Sequence, residues 1–196
     1  MFCMKKAELR SIYKDKRRAL LASERARYDR LILEQTQQFD WSNTAYVHCY
    51  LPIAEQREFD TWPLISWLWT HYPAIQTVVS RSDFTTHTLS HYRFGPETPI
   101  IKNAWGIHEP SSGDPVSEKV LDVVLVPLLA VDVLGNRIGY GKGFYDRFLN
   151  ACRPEVTKIG ISYFPPVEKI EDVGEWDIPV DGLFSPQGTF WFKNPY

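Results

Sequence analysis

Three glycines, Gly139, Gly141 and Gly143, fall within five residues of the stretch GNRIGYGKGFYDRF (residues 135–148), with Lys142 between the last two and with Phe144, Tyr145, Asp146 and Arg147 directly after. Glycine lacks Cβ and tolerates positive φ, so successive backbone N–H groups in such a loop can converge on an anion. A helix following the loop adds a partial positive charge at its N-terminus. Lys142 adds a full one. The spacing is GxGxG, which is neither the Walker A loop GxxxxGK[ST] nor GxGxxG. Taken alone it fits a structural strand-to-helix turn as well as a phosphate cradle.

A second basic feature lies far away in sequence. Lys6, Arg10 and Lys14 are spaced by four, and Arg17 falls near them. On a helix they share an arc of roughly 80°, beside the apolar face made by Leu9, Ile12, Tyr13 and Leu20. Such a stripe can be a solvated face that balances Glu8 and Asp15, or it can reach into a cleft. Two half-sites for phosphate, one on a loop and one on a helix, are more telling than either.

Acidic residues supply a third set. A divalent metal bound with a nucleoside triphosphate needs one or two carboxylates and otherwise takes water and phosphate oxygens. Asp146 and Asp177 both follow strands and can converge. For Asp146 the alternative is a charge favourable to a helix N-terminus; for Asp177 it is a turn or cap. Glu58, in the loop PIAEQREFD, is placed to bind a substrate or to stand as a solvated loop charge. Asp60 reads as a helix cap.

Other chemistries find little support. There is no GxSxG elbow, and the five histidines show no HExxH pattern. The three cysteines are scattered, with no CxxC pair, and read as free thiols in a reducing compartment. Net charge is −2 over 196 residues, so a phosphate or nucleotide site must be a local basic feature, and no nucleic acid partner is expected. The start, MFCMKKAELR, lacks the apolar run of a secretory signal. No run of 18 apolar residues occurs, so no membrane partner is expected. These features predict a cytoplasmic protein.

The elements that must position these groups follow from periodicity. Helices are predicted over Lys5–Leu21, Ser23–Gln38 with Ser23 as N-cap, Trp62–Tyr72, and about Phe144–Cys152. Strands are predicted at 44–51, 75–81, 88–94, in the apolar run VLDVVLVPLLAV up to Pro127, at 156–164, and as a short final one in DGLFSP. The Pro-, Gly- and Ser-rich stretch from Gly95 to Val116 reads as a long functional loop, in which Trp105 can line a pocket for a flat ligand. Strands alternate with helices, and nothing marks a linker. The expectation is an α/β fold: one domain over 1–196, a three-layer sandwich whose mostly parallel central sheet is flanked by helices. Ligands of such sheets sit beyond the carboxyl ends of the strands, where the glycine loop belongs.

VPLLAVDVLGNRIGYGKGFYDRFL (126–149) resembles the signature of the 5-formyltetrahydrofolate cyclo-ligase family, D-x-x-G-x-R-[LI]-G-x-G-x-G-[YF]-Y-D-R after a Pro-containing strand end. KAELR with Lys14 is similar to that family's N-terminal phosphate motif. EFDT resembles its substrate loop, WGIHEP its mid-chain element, and GEWDIPVD its C-terminal segment. The motifs span nearly the whole chain in the family order. Lys142 stands where many members have Gly, Phe144 where Tyr is common, and Val131 where an aromatic is usual.

The resemblance implies an enzyme that uses ATP and Mg2+ to convert 5-formyltetrahydrofolate to 5,10-methenyltetrahydrofolate, ADP and phosphate. It implies ATP contacts from Lys6, Arg10, Lys14 and the loop Arg137, Ile138, Gly139, Tyr140, Gly141, Lys142, Gly143, Phe144 and Tyr145. The folate side would be Ile53, Glu58 and the stretch Tyr140–Phe144, with Asp146 and Asp177 on the metal. Arg137 and Lys142 would meet the charge of the transferring phosphoryl group. A monomer is expected, with other oligomers left open. The competing readings are a sugar-phosphate isomerase or CoA-transferase-like enzyme on a related scaffold, and a folate- or nucleotide-binding protein without turnover.

Overall fold

The computed structural model describes residues 4–192, so Cys3 lies outside the described residues. Helix α1 (Lys6–Ala19) buries Leu9, Tyr13 and Arg17, one turn apart on a single face. Helix α2 (Ala22–Gln38) starts one residue before the expected Ser23 cap. Its N-cap is Leu21, whose N–H is taken by the Glu24 carboxylate at 2.8 Å. Strand β1 (Tyr46–His48) follows, then a short 3-10 turn over Ala54–Gln56. Helix α3 (Trp62–His71) carries Pro63 in its first turn; its N-cap is Thr61 rather than the expected Asp60, whose Oδ1, one residue earlier, accepts from the Trp62 N–H at 3.1 Å.

Strands β2 (Gln76–Asp83) and β3 (Thr88–Phe94) form an antiparallel hairpin registered from Thr77↔Phe94 to Asp83↔Thr88. The 95–116 segment is not a structureless loop. It contains a two-stranded hairpin, β4 (Ile100–Lys102) with β5 (His108–Pro110). Its Pro, Gly and Ser content hides two strands of three residues each, too short for a period-2 pattern to show. Strand β6 (Val123–Pro127) ends at the proline as expected. A small hairpin, β7 (Ala130–Val131) and β8 (Arg137–Ile138), intervenes before the glycine loop and helix α4 (Phe144–Ala151). Strands β9 (Thr157–Ile161), β10 (Gly182–Ser185) and β11 (Gly188–Trp191) complete the described chain. Strand β11, not expected from the sequence, folds back on β10 through a tight turn at Pro186 and Gln187.

The central sheet has seven strands in the order β11-β10-β9-β6-β1-β2-β3. The five inner strands are parallel, and the two edge strands, β11 and β3, are antiparallel to their neighbours. Strand order reverses between β1 and β6, and the carboxyl ends diverge there into a crevice. Val123 to Val126 are almost fully buried because both sheet faces are covered. One face packs on α2 and α3 through Ile32, Leu64, Ile65 and Leu68; the other packs on α4 through Phe148 and Leu149. Helix α1 closes a third cluster, Leu9 and Tyr13 against Leu129, Ala130 and Ile138. It is thereby pinned beside the small β7–β8 hairpin, near the carboxyl ends of the strands. Among the described residues no helix is long and apolar enough to cross a membrane.

Candidate active site

A cavity of about 620 Å³ opens at that crevice. The loop after β1 supplies Tyr50, Ile53 and Glu58. Strand β6 ends at it with Pro127, and β2 contributes Ser80 and Ser82. Helix α1 points Lys6, Arg10 and Lys14 into it. The glycine loop, the first turn of α4 and Asp177 complete the wall. Of the residues expected from sequence, all but Ile138 line this one cavity; Ile138 is fully buried beneath it against Leu9 and Tyr13.

Local structure explains why the glycine loop arrives there. Asp132, fully buried, accepts from Leu134 N–H at 2.9 Å, Asn136 N–H at 2.9 Å, Asn136 Nδ2 at 3.0 Å and Ile170 N–H at 3.0 Å. That folds the β7–β8 turn and aims Arg137 at the cavity. Gly135 in the turn has φ of +86°, and a Cβ there would sit 2.3 Å from the Val180 carbonyl oxygen. Further on, Gly141 has φ of +86°, and a Cβ would press on the Arg10 guanidinium at 3.3 Å. Arg10 Nε donates to Gly139 O at 2.9 Å. The basic helix and the glycine loop are therefore two walls of one pocket, held together by Arg10. Gly143 is the N-cap of helix α4, whose first N–H groups have no acceptors within the helix.

Charge in the cavity opposes the overall balance. Five cations line it, Lys6, Arg10, Lys14, Arg137 and Lys142, against three carboxylates, Glu58, Asp146 and Asp177. Among the described residues, Arg10, Lys14 and Lys142 have no carboxylate partner. Arg137 donates to Asp146 Oδ1 at 2.6 Å, while its buried Nη1 has no acceptor. Burial pulls the Arg137 pKa down and the Asp146 charge opposes it; a guanidinium stays protonated in either case. Lys6 pairs with Asp177, whose Oδ2 also takes the Gly174 N–H at 2.5 Å, so Asp177 does hold a turn as well as facing the cavity. Asp146 Oδ1 also accepts from Ile178 N–H at 3.3 Å, which brings the 177–178 segment against α4.

The other end is apolar and aromatic, with one buried acid. Glu58 is not a solvated loop charge: it is 9% exposed. Its Oε2 accepts from Ile53 N–H at 2.7 Å and its Oε1 from the Tyr140 hydroxyl at 2.5 Å. Burial raises the Glu58 pKa, and these two hydrogen bonds and Arg17 offset that rise only in part. Trp105, 61% exposed, stacks on Phe84 with ring centroids 4.0 Å apart, and Phe84 meets Phe144 edge-on at 5.2 Å. These rings form a rim suited to a flat ligand.

Some of the wall was not legible beforehand. His48 is fully buried, its Nε2 2.7 Å from Ser80 Oγ, which is 2.9 Å from His91 Nδ1. Burial holds His48 well below the ordinary imidazole pKa and His91 down at about 4, so both are neutral near pH 7. Tyr50, Ser80 and Phe84 join the wall through the β1–β2 pairing, which no local motif announces. No group of three or more His, Cys, Asp or Glu side chains among the described residues is arranged to hold a metal unaided.

Comparison with known proteins adds an independent line. The model of the 5-formyltetrahydrofolate cyclo-ligase family matches residues 3–185. A 5-formyltetrahydrofolate cyclo-ligase of Escherichia coli (strain K12) is 33% identical over 132 residues, covering 66% of this chain and 72% of the relative. One from Mus musculus is 30% identical over 155 residues, covering 75% and 74%. The solved structure of the Aquifex aeolicus 5,10-methenyltetrahydrofolate synthetase superposes with a TM-score of 0.79 at 29% identity, over 98% of this chain and 95% of that one.

Proposed function

Because this chain belongs to the 5-formyltetrahydrofolate cyclo-ligase family, we propose that its cavity joins ATP to 5-formyltetrahydrofolate and releases 5,10-methenyltetrahydrofolate, ADP and phosphate. The observation that carries this reading is the polarity of the cavity. One end gathers Lys6, Arg10, Lys14, Arg137 and Lys142 around a glycine loop, and the other sets a buried carboxylate among apolar and aromatic groups. A triphosphate suits the first end and a pterin the second.

The chemistry asks little covalent work of the protein. The formyl oxygen attacks the γ-phosphorus, and the bond from that phosphorus to the bridging oxygen breaks to leave ADP. N10 of the folate then attacks the activated carbon and gives up its proton, and the carbon–oxygen bond breaks to release phosphate. The nucleophiles belong to the substrate, so the absence of a catalytic triad is expected. The protein must align the two substrates and meet the charge on the transferring group. Arg10 and the glycine loop hold the triphosphate, Lys6 and Lys14 flank it, and Arg137 and Lys142 face the phosphoryl group.

Asp146 and Asp177 have the chemistry to hold Mg2+. They are hard oxygen donors on the phosphate side of the cavity, their chain segments in contact, and two carboxylates with phosphate oxygens and water satisfy that ion. The ion would neutralise charge on the phosphates. Glu58, with Ile53 beside it, accepts hydrogen bonds from the amino-pyrimidine edge of the pterin.

The expected cations and carboxylates that line the cavity all come from one chain, which supports a monomer in this reading. Cys49 and Cys152 are buried free thiols, suited to a reducing cytoplasm. A reading without turnover would want a lost cation or carboxylate; that the expected cations and carboxylates all line the cavity supports turnover instead. The test is stoichiometry. Phosphate should appear from ATP one for one with methenyl product and only when 5-formyltetrahydrofolate is present. Phosphate release independent of the folate would sink the reading.

A further inference from the structure

Arg17 has no part in the chemistry above, yet it is a charge buried to 4% exposure with no carboxylate partner among the described residues. A buried charge is costly unless its donors are used. Arg17 Nη1 donates to the Tyr140 hydroxyl at 2.9 Å and to Gln56 O at 3.5 Å, and Nη2 donates to Leu128 O at 2.5 Å; Nε has no acceptor.

Donor arithmetic fixes the rest. A guanidinium only donates, so the Tyr140 oxygen must accept from it. The single hydroxyl proton is then committed to Glu58 Oε1, 2.5 Å away. The other carboxylate oxygen is committed to Ile53 N–H. The chain Arg17→Tyr140→Glu58 thus runs from α1 through the glycine loop to the loop after β1. It leaves the Glu58 carboxylate in one orientation.

We propose that Arg17 is a positioning residue for the folate end of the site, acting through the Tyr140 hydroxyl to orient the Glu58 carboxylate. This rests on the reading of Glu58 as the pterin-binding carboxylate. The groups around Glu58 are Arg17 from α1, Tyr140 from the glycine loop, Tyr145 from α4, Tyr50 after β1 and Tyr163 after β9, whose hydroxyl donates to Asp29 at 2.6 Å and lies 3.2 Å from Glu58 O. Arg17 is the one cation among them. Arg17 and the Tyr140 hydrogen bond both favour the charged carboxylate against its burial, so losing either raises the pH at which Glu58 takes up a proton.

Two readouts test this: KM for each substrate in the methenyl assay, and binding of 5-formyltetrahydrofolate without ATP, followed by tryptophan quenching from about pH 5 to 8. Tyr140→Phe keeps the ring and removes the hydroxyl. It should raise the folate KM about tenfold with the ATP KM little changed, and move the acid limb of folate binding to higher pH. Arg17→Met should do the same, Arg17→Lys less, and Arg17→Met with Tyr140→Phe should be no worse than Arg17→Met alone. If Arg17→Met does not fold, Tyr140→Phe and Arg17→Lys decide. Wild-type folate binding and an unmoved acid limb in Tyr140→Phe would overturn the proposal. Wild-type protein that binds the folate without turning it over would instead sink the catalytic reading and leave the acid limb to judge this one.

Discussion

Arg137 and Asp146 form an ion pair of 2.6 Å in which the arginine side chain is 6% exposed and the aspartate 30%. The pair joins β8 to the first turn of α4, the two ends of the glycine loop. Asp146 therefore carries two duties in the proposed site: it holds a buried cation in place and offers an oxygen for Mg2+. The motif places these residues nine apart because the loop between them must leave the sheet and return.

Asp146→Asn separates from Asp177→Asn on this account. Removing the charge at 146 strands the buried Arg137, and stability should fall by about 3 kcal/mol. Asp177 pairs with the more exposed Lys6, and its change should cost at most about 1 kcal/mol. Both should lower kcat/KM at least about 100-fold and raise the Mg2+ needed for half-maximal rate. Thermal melts and Mg2+ titrations of the rate read the two effects; equal melting losses would contradict the assigned burial.

Arg10→Ala removes the link between α1 and the glycine loop. Its lost hydrogen bond to Gly139 O should cost about 1 kcal/mol of stability, which the fold tolerates. Loss of the phosphate contact should lower kcat/KM about 100-fold, with the ATP KM moving more than the folate KM. A variant with wild-type ATP kinetics would remove the helix from the nucleotide site.

Acid should destabilise the protein through two histidines. His48 and His91 are held below the unfolded value of about 6.5, His91 at about 4. Their folded forms are neutral, so the unfolded chain binds more protons once pH drops through about 6.5. Stability is then lost as pH falls, and the histidine contribution levels off near the folded value. Glu118 opposes the effect at His91 only in part. His91→Gln keeps a group able to bond Ser80 and removes one titration. Between about pH 7 and 4.5 it should lose about 2 to 3 kcal/mol less than wild type by denaturant unfolding. Parallel curves would show that His91 is not the responsible group.

The α/β architecture with its mostly parallel sheet was legible in the sequence, as were several residues that meet at the cavity. Lys6, Arg10 and Lys14 were legible because four-residue spacing on a helix is a local pattern, and Gly139–Gly143 because glycine spacing is. Asp146 and Asp177 were paired because both follow strands; the contact that brings their segments together, Ile178 N–H to Asp146 Oδ1, has no local mark. His48, Ser80 and His91 came from three strands and carry no local mark; only the β1–β2 and β2–β3 registers bring them together. Arg17 looked like one more cation of the stripe. Its burial follows from the packing of Leu9 and Tyr13 on Leu129, Ala130 and Ile138, which sets Arg17 against Leu128 O and Tyr140. Ser23 failed as a cap because Glu24, one residue on, reaches back to Leu21. The short strands β4, β5 and β11 are fixed by their partners rather than by their own composition.

The most direct measurement follows the absorbance of 5,10-methenyltetrahydrofolate in purified protein given 5-formyltetrahydrofolate, with and without ATP and Mg2+. The account predicts product only when both ATP and Mg2+ are present. Product in the absence of ATP, or none in the complete mixture, would contradict it.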